Sequence, residues 1–246
     1  METTLKGERR IQRVRHELRR REVTVAQVEQ VSPGFVRVTF GGDDLADFVS
    51  LSFDDHVKFM FADPAGEVVR RDYTPLQHDA AARTLSIEFA LHERGAASDW
   101  ARAAQVGQLA AIGGPRGSMI IPLDYDWHLL VGDSSALPAI QRRLWELPAG
   151  ARTIAVIQVD DAADRRDFAS AANVDVSWVR SGDELLAAVR ALQLPAGSGF
   201  AWGAGETGVM RPLRELLKGK GVAGVDMRIA AYWKHGAADF HERLDD

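Results

Sequence analysis

Arg71-Asp72-Tyr73-Thr74-Pro75-Leu76 is the segment of this chain with the clearest chemistry. On an extended strand side chains alternate, so Arg71 and Tyr73 share one face and Thr74 takes the other. A cation suits a phosphate, an aromatic ring covers a planar heterocycle, and a hydroxyl with strand amides serves that heterocycle's polar edge. Those are the needs of a flavin nucleotide; the plainer alternative is a cross-strand pair. A second candidate runs from His92 to Trp100. There Gly95-Ala96-Ala97-Ser98 opens a helix near residues 98–104, with Ser98 as its cap. Free amides and the positive end of a helix suit a pyrophosphate. An ordinary capped helix, with Trp100 as a core anchor, is the plainer reading. Third, Gly113-Gly114-Pro115-Arg116-Gly117-Ser118 is a rigid turn that either presents Arg116 to a ligand or leaves it as a surface cation.

These motifs need a scaffold. From residue 21 to about 123 the pattern is one of short strands, with turns at Ser32-Pro33-Gly34 and Asp63-Pro64-Ala65-Gly66 and the last strand at 108–112. Six or more short antiparallel strands predict a small closed barrel. From Trp127 onward apolar strands alternate with helices, which predicts a parallel sheet covered on both faces. The expected organisation is a basic segment over 1–20, an antiparallel β-barrel over 21–124 and an α/β domain over 125–246. The second half lacks G-x-G-x-x-G. Instead Gly132-Asp133-Ser134-Ser135 and Gly203-Ala204-Gly205-Glu206 each follow a strand and open a helix. That is where a parallel sheet binds dinucleotides. After the second strand of this half, Asp160 and Asp161 would repel a 2′-phosphate, whereas Arg165 and Arg166 would attract one; NADH and NADPH both stay open.

Composition narrows the chemistry. The chain has 246 residues, 46% of them apolar, and no cysteine. Disulfides, thiolate nucleophiles and Cys-ligated clusters are therefore excluded, and the histidines show no metal-ligand spacing. Any electron carrier must be organic. A net charge of −5 argues against nucleic acid as a partner. No apolar run approaches a membrane span and no signal region is evident, so a cytoplasmic enzyme is expected. Residues 1–21 nevertheless hold eight Lys or Arg against three Glu. That segment is either solvated and frayed or an arm that attracts anions.

Taken in order, His56-Val57-Lys58-Phe59, Arg71 to Thr74, His92 to Trp100, Gly114 to Gly117, Gly132 to Ile140, Trp202 to Glu206 and Tyr232-Trp233-Lys234-His235-Gly236 resemble the siderophore-interacting protein family. These are flavin-dependent ferric-siderophore reductases of the ferredoxin-reductase-like superfamily. The resemblance covers nearly the whole chain. It implies a FAD-binding barrel followed by a NAD(P)H-binding domain. It also implies a cofactor-binding set of Arg71, Tyr73, Thr74, His92, Gly95, Ala96, Ala97, Ser98, Trp100, Asp133, Gly205, Glu206 and Trp233. Two departures stand out. Leu76 occupies a position where the family often has a second arginine, and Ser134-Ser135 stands where an acidic residue and threonine are common.

The implied activity is transfer of electrons from NADH or NADPH through FAD to siderophore-bound Fe(III), which loosens a metal that hard oxygen ligands hold better as Fe(III) than as Fe(II). A ferric tris-catecholate is a trianion, so fixed cations are expected beside the flavin. Lys58, Arg116 and Lys234 are the expected substrate-binding set, against three unrelated surface cations. No side chain is expected to act as acid, base or metal ligand. A general NAD(P)H:flavin or ferric reductase, a non-catalytic siderophore-binding protein and a subunit that docks a ferredoxin are the alternatives. A monomer is expected.

Overall fold

The structure, a computed structural model, describes residues 11–92, 95–236 and the backbone of 242–243. Lys6, Arg9 and Arg10 of the basic segment, and Glu93 and Arg94 of the second motif, lie outside the described residues.

In the first half the strands are β1 (Gln12–Arg15), β2 (Arg20–Ser32), β3 (Phe35–Gly41), β4 (Val57–Ala62), β5 (Val68–Tyr73), β6 (Pro75–Asp79), β7 (Thr84–Ala90), β8 (Leu109–Gly113) and β9 (Gly117–Ile120), with helix α1 (Ala96–Ala103) between β7 and β8. Seven of them form one antiparallel sheet in the order β5-β4-β8-β2-β3-β7-β6. The sheet is curled rather than ring-closed, because β5 and β6 are its two edges yet only Thr74 separates them in the chain. The backbone itself therefore brings the two ends together. Alternation along β4 sends Val57, Phe59 and Phe61 inward and leaves Lys58 exposed. Inside, Phe40, Phe59, Phe61 and Phe89 pack around Trp100 of α1, with ring centroids 4.7–6.2 Å from the indole.

β1 and β9 were not anticipated from the pattern. They pair with each other, Arg13 opposite Met119 and Arg15 opposite Gly117. The basic segment is therefore built onto the half-barrel from residue 12 onward. Gly117 permits this, since a Cβ there would stand 2.5 Å from the Val14 carbonyl oxygen.

The second half contains β10 (Trp127–Gly132), α2 (Leu137–Glu146), β11 (Arg152–Gln158), β12 (Asn173–Val179), α3 (Gly182–Ala191), β13 (Gly199–Glu206), α4 (Thr207–Gly219), β14 (Met227–Trp233) and β15 (Glu242–Arg243). The order β12-β11-β10-β13-β14 is parallel, and β15 joins antiparallel to β14. Leu129 and Val131 face α3 and α4, whereas Leu130 faces α2 and the half-barrel. Among the described residues no helix is long and apolar enough to cross a membrane.

The two halves meet through buried polar contacts. Arg142 of α2 donates to the Ser50 hydroxyl and to the Ser50 and Pro75 carbonyls, at 2.8–3.0 Å. Glu88 of β7, fully buried, takes Arg37 at 2.9 Å and Arg166 from the second half at 2.6 Å. The Arg166 guanidinium also lies 4.8 Å from the Phe35 ring centroid.

Candidate functional site

Tyr73 ends the edge strand β5 with its ring 4.4 Å from that of Phe89 and 6.0 Å from that of Phe59. Burial pushes its phenol well above the ordinary tyrosine range, so the ring stays neutral. Arg71 shares this face, because Val57 stands opposite Tyr73 and Phe59 opposite Arg71. Edge strands carry backbone groups without ladder partners. A side chain takes one of them here, the Arg70 carbonyl, which accepts from Arg71 Nη1 at 2.7 Å.

Helix α1 starts one turn earlier than its sequence pattern indicates. Gly95, not Ser98, is the N-cap, and among the described residues no side chain caps it. Ser98 points inward instead. Its hydroxyl accepts from the His92 amide at 3.1 Å and reaches the Ala90 carbonyl at 3.5 Å. The first-turn amides of Ala96, Ala97 and Ser98 are thus left to an outside acceptor. Trp100 is 7% exposed and packs in the aromatic core.

Across the seam, Asp133 organises the carboxyl ends of β10, β13 and β14. One carboxylate oxygen accepts from the Ser135 amide at 2.9 Å and hydroxyl at 2.5 Å. The other accepts from the Glu206 amide and from the Trp233 indole N–H, both at 2.9 Å. Burial pushes the carboxyl above its usual range, and these donors only partly offset that. Asp133 therefore closes its own turn and holds Trp233, while Ala136 is the N-cap of α2. Gly205 is required because a Cβ would meet the Asp133 carboxylate at 2.5 Å. Glu206 caps α4 through the Gly208 amide and also takes the His235 amide at 3.3 Å. The Trp233 ring lies 6.2 Å from that of His92, which joins the two halves at this edge. Arg166 is committed to Glu88 and Gln141; Arg165 is exposed.

Leu76 is buried, and the cation beside it is Arg142, whose bonds go to Ser50, Pro75 and Glu146.

A groove of about 870 Å³ opens on the outer face of the half-barrel, and Lys58 and Arg116 both line it. Arg20, Gly113, Lys58 and Asp72 form one cross-strand row there. Lys58 bonds Asp72 at 2.7 Å. Arg13, Arg15, Arg19, Arg70 and Arg228 add further cations, against the carboxylates Asp54, Asp55 and Asp72. Lys234 is exposed and is not part of this lining. It follows Trp233 at the seam instead. The sequence leaves the arginines of β1 between a solvated segment and an anion-attracting arm, because their strand partner lies about a hundred residues away.

A curled flavin-type half-barrel whose first helix faces the carboxyl ends of a parallel sheet defines a ferredoxin-reductase-like protein. The FAD/NAD-binding domain of nitric oxide dioxygenase from Vibrio cholerae shares this fold at a TM-score of 0.67 and 16% identity, over 84% of this chain and 96% of that one. More specific matches exist. The siderophore-interacting protein model matches residues 125–236, and the siderophore-interacting FAD-binding domain model matches 24–70 and 63–119. The NADPH-dependent ferric-chelate reductase of Escherichia coli is 36% identical over 90% of this chain and 96% of its own length. A siderophore utilization protein from T. fusca superposes with a TM-score of 0.88 at 34% identity, over 95% of this chain and 98% of that one. This chain belongs to the siderophore-interacting protein family.

Proposed function

We propose that this chain is a ferric-siderophore reductase that draws electrons from NADPH and uses FAD as its resident cofactor. The observation that carries the reading is the groove: among the described residues eight cations against three carboxylates, in a chain of net charge −5, on the edge strand that also bears Tyr73. FAD, when bound, supplies the coupling between two-electron hydride transfer and one-electron transfer to iron.

The residues present fit that cofactor. Tyr73 offers a neutral aromatic face, Arg71 a phosphate partner, Thr74 a hydroxyl, and the start of α1 amides that no described side chain caps. Among the described residues only the Ser98 hydroxyl lies within 4 Å of where a Cβ of Gly95 would stand, which leaves room for a ligand to approach the backbone. Asp133 keeps Trp233 in one orientation at the seam, next to His92, and so shields the space where a nicotinamide would meet the first half. The ferric chelate is the substrate. Lys58 and Arg116 hold its negative charge, and the protein needs no acid or base at the iron. Tyr73 on one face of β5 and the groove on the other are separated by the thickness of a single strand. NADPH is proposed as donor rather than a ferredoxin, after the name of the E. coli relative, and the enzyme is proposed to act as a monomer in the cytoplasm.

The test is spectroscopic. Protein reconstituted with FAD should keep flavin absorption after gel filtration, lose it on anaerobic addition of NADPH, and regain it on addition of a ferric tris-catecholate. Folded protein that retains no FAD would refute the reading. Equal rates with free FMN and with every ferric chelate would favour a general flavin reductase.

A further inference from the structure

The groove's cations divide into two groups. Lys58, Arg19, Arg20 and Arg228 already face carboxylates of the protein, namely Asp72, Asp47, Glu22 and Asp54. Arg13, Arg15, Arg70 and Arg116 have no carboxylate partner among the described residues. An anion gains most from cations whose field is not already cancelled. The unpaired group therefore sets the groove's preference, and two of its four members come from β1.

β1 is held firmly enough to present them. It pairs with β9 over four residues. His16 donates its amide to the Arg116 carbonyl at 3.0 Å, and the Gly114 amide donates to the Arg19 carbonyl at 3.0 Å. His16 Nε2 lies 2.8 Å from the Ser118 hydroxyl, which itself donates to Asp55 at 2.6 Å. This is an anchor and not a hydrolytic triad, because the carboxylate takes the serine proton directly and does not orient the imidazole. Across the groove, Arg70 stands on β5.

We propose that Arg13 and Arg15 of β1, together with Arg70 and Arg116, form a charge filter that selects polyanionic ferric chelates over neutral ones. Four uncompensated guanidinium groups match the three negative charges of a tris-catecholate complex, whereas a neutral tris-hydroxamate gains nothing from them. The inference rests on the groove being the chelate site.

The test uses FAD-loaded protein and redox-inert Ga(III) complexes, titrated by quenching of tryptophan fluorescence. Wild-type protein should bind Ga(III) tris-catecholate at least about tenfold more tightly than Ga(III) tris-hydroxamate at low ionic strength, and the gap should shrink with added salt. Arg13→Gln/Arg15→Gln should weaken the tris-catecholate by about tenfold and leave the tris-hydroxamate unchanged. Gly117→Val, which pushes β1 off β9 without removing a charge, should produce the same selective loss. If the double variant keeps the full preference for the anion, the filter is overturned while the chelate site stands. If wild-type protein binds neither complex, both the filter and the site are overturned.

Discussion

Glu88→Gln tests the clamp that fixes one half of the molecule against the other. Glu88 is fully buried and receives Arg37 and Arg166. The amide keeps the shape, removes the charge, and turns one acceptor into a donor that faces a guanidinium group. Breaking a buried ion pair from one side costs about 3–5 kcal/mol. The lower end applies here, because Arg37 keeps Glu29 at 3.3 Å and Arg166, with 14% of its side chain exposed, keeps some solvent. At about 2–4 °C per kcal/mol for a chain of this size, the melting temperature should fall by roughly 6–12 °C. Circular dichroism on FAD-loaded protein measures it. Arg166→Met alone should also destabilise, whereas Glu88→Leu/Arg166→Met should recover part of the loss, because an apolar pair of similar volume replaces both charges. A Glu88→Gln shift below about 2 °C, or strictly additive single effects, would refute the clamp.

Two further predictions concern the seam. Tyr73→Ser removes the aromatic cover and should weaken FAD retention by about tenfold or more, read as free flavin fluorescence after dialysis; unchanged retention would remove Tyr73 from the site. Asp133 is pushed above the usual carboxylate range, so the folded state holds its proton when the unfolded state has released it. Its contribution to stability therefore falls as pH rises from the ordinary carboxylate range through the raised value. Asp133→Asn should flatten that part of the stability–pH curve and, through loss of an acceptor for Trp233 or Ser135, lower stability. Parallel curves for the two proteins would contradict it.

Local rules carried much of this protein. Alternation in β4 and β5 placed Lys58 opposite the Arg71–Tyr73 face, and strand–turn–helix spacing placed Asp133 and Glu206 at the carboxyl ends of β10 and β13. Such readings need only neighbours within a few residues, because strand period and turn chemistry are short-range. Ser98 failed as a cap for a reason equally local: glycine at 95 starts the helix earlier and frees the serine to bond inward.

Only the tertiary structure decided which cations count. His16 meets Ser118 across 102 positions and Arg166 meets Glu88 across 78, and no periodicity encodes such pairings. A run of arginines looks alike in sequence whether each is solvated, paired or aimed at a ligand. The difference lies in where the backbone brings the carboxylates, and that follows from the packing of the whole chain.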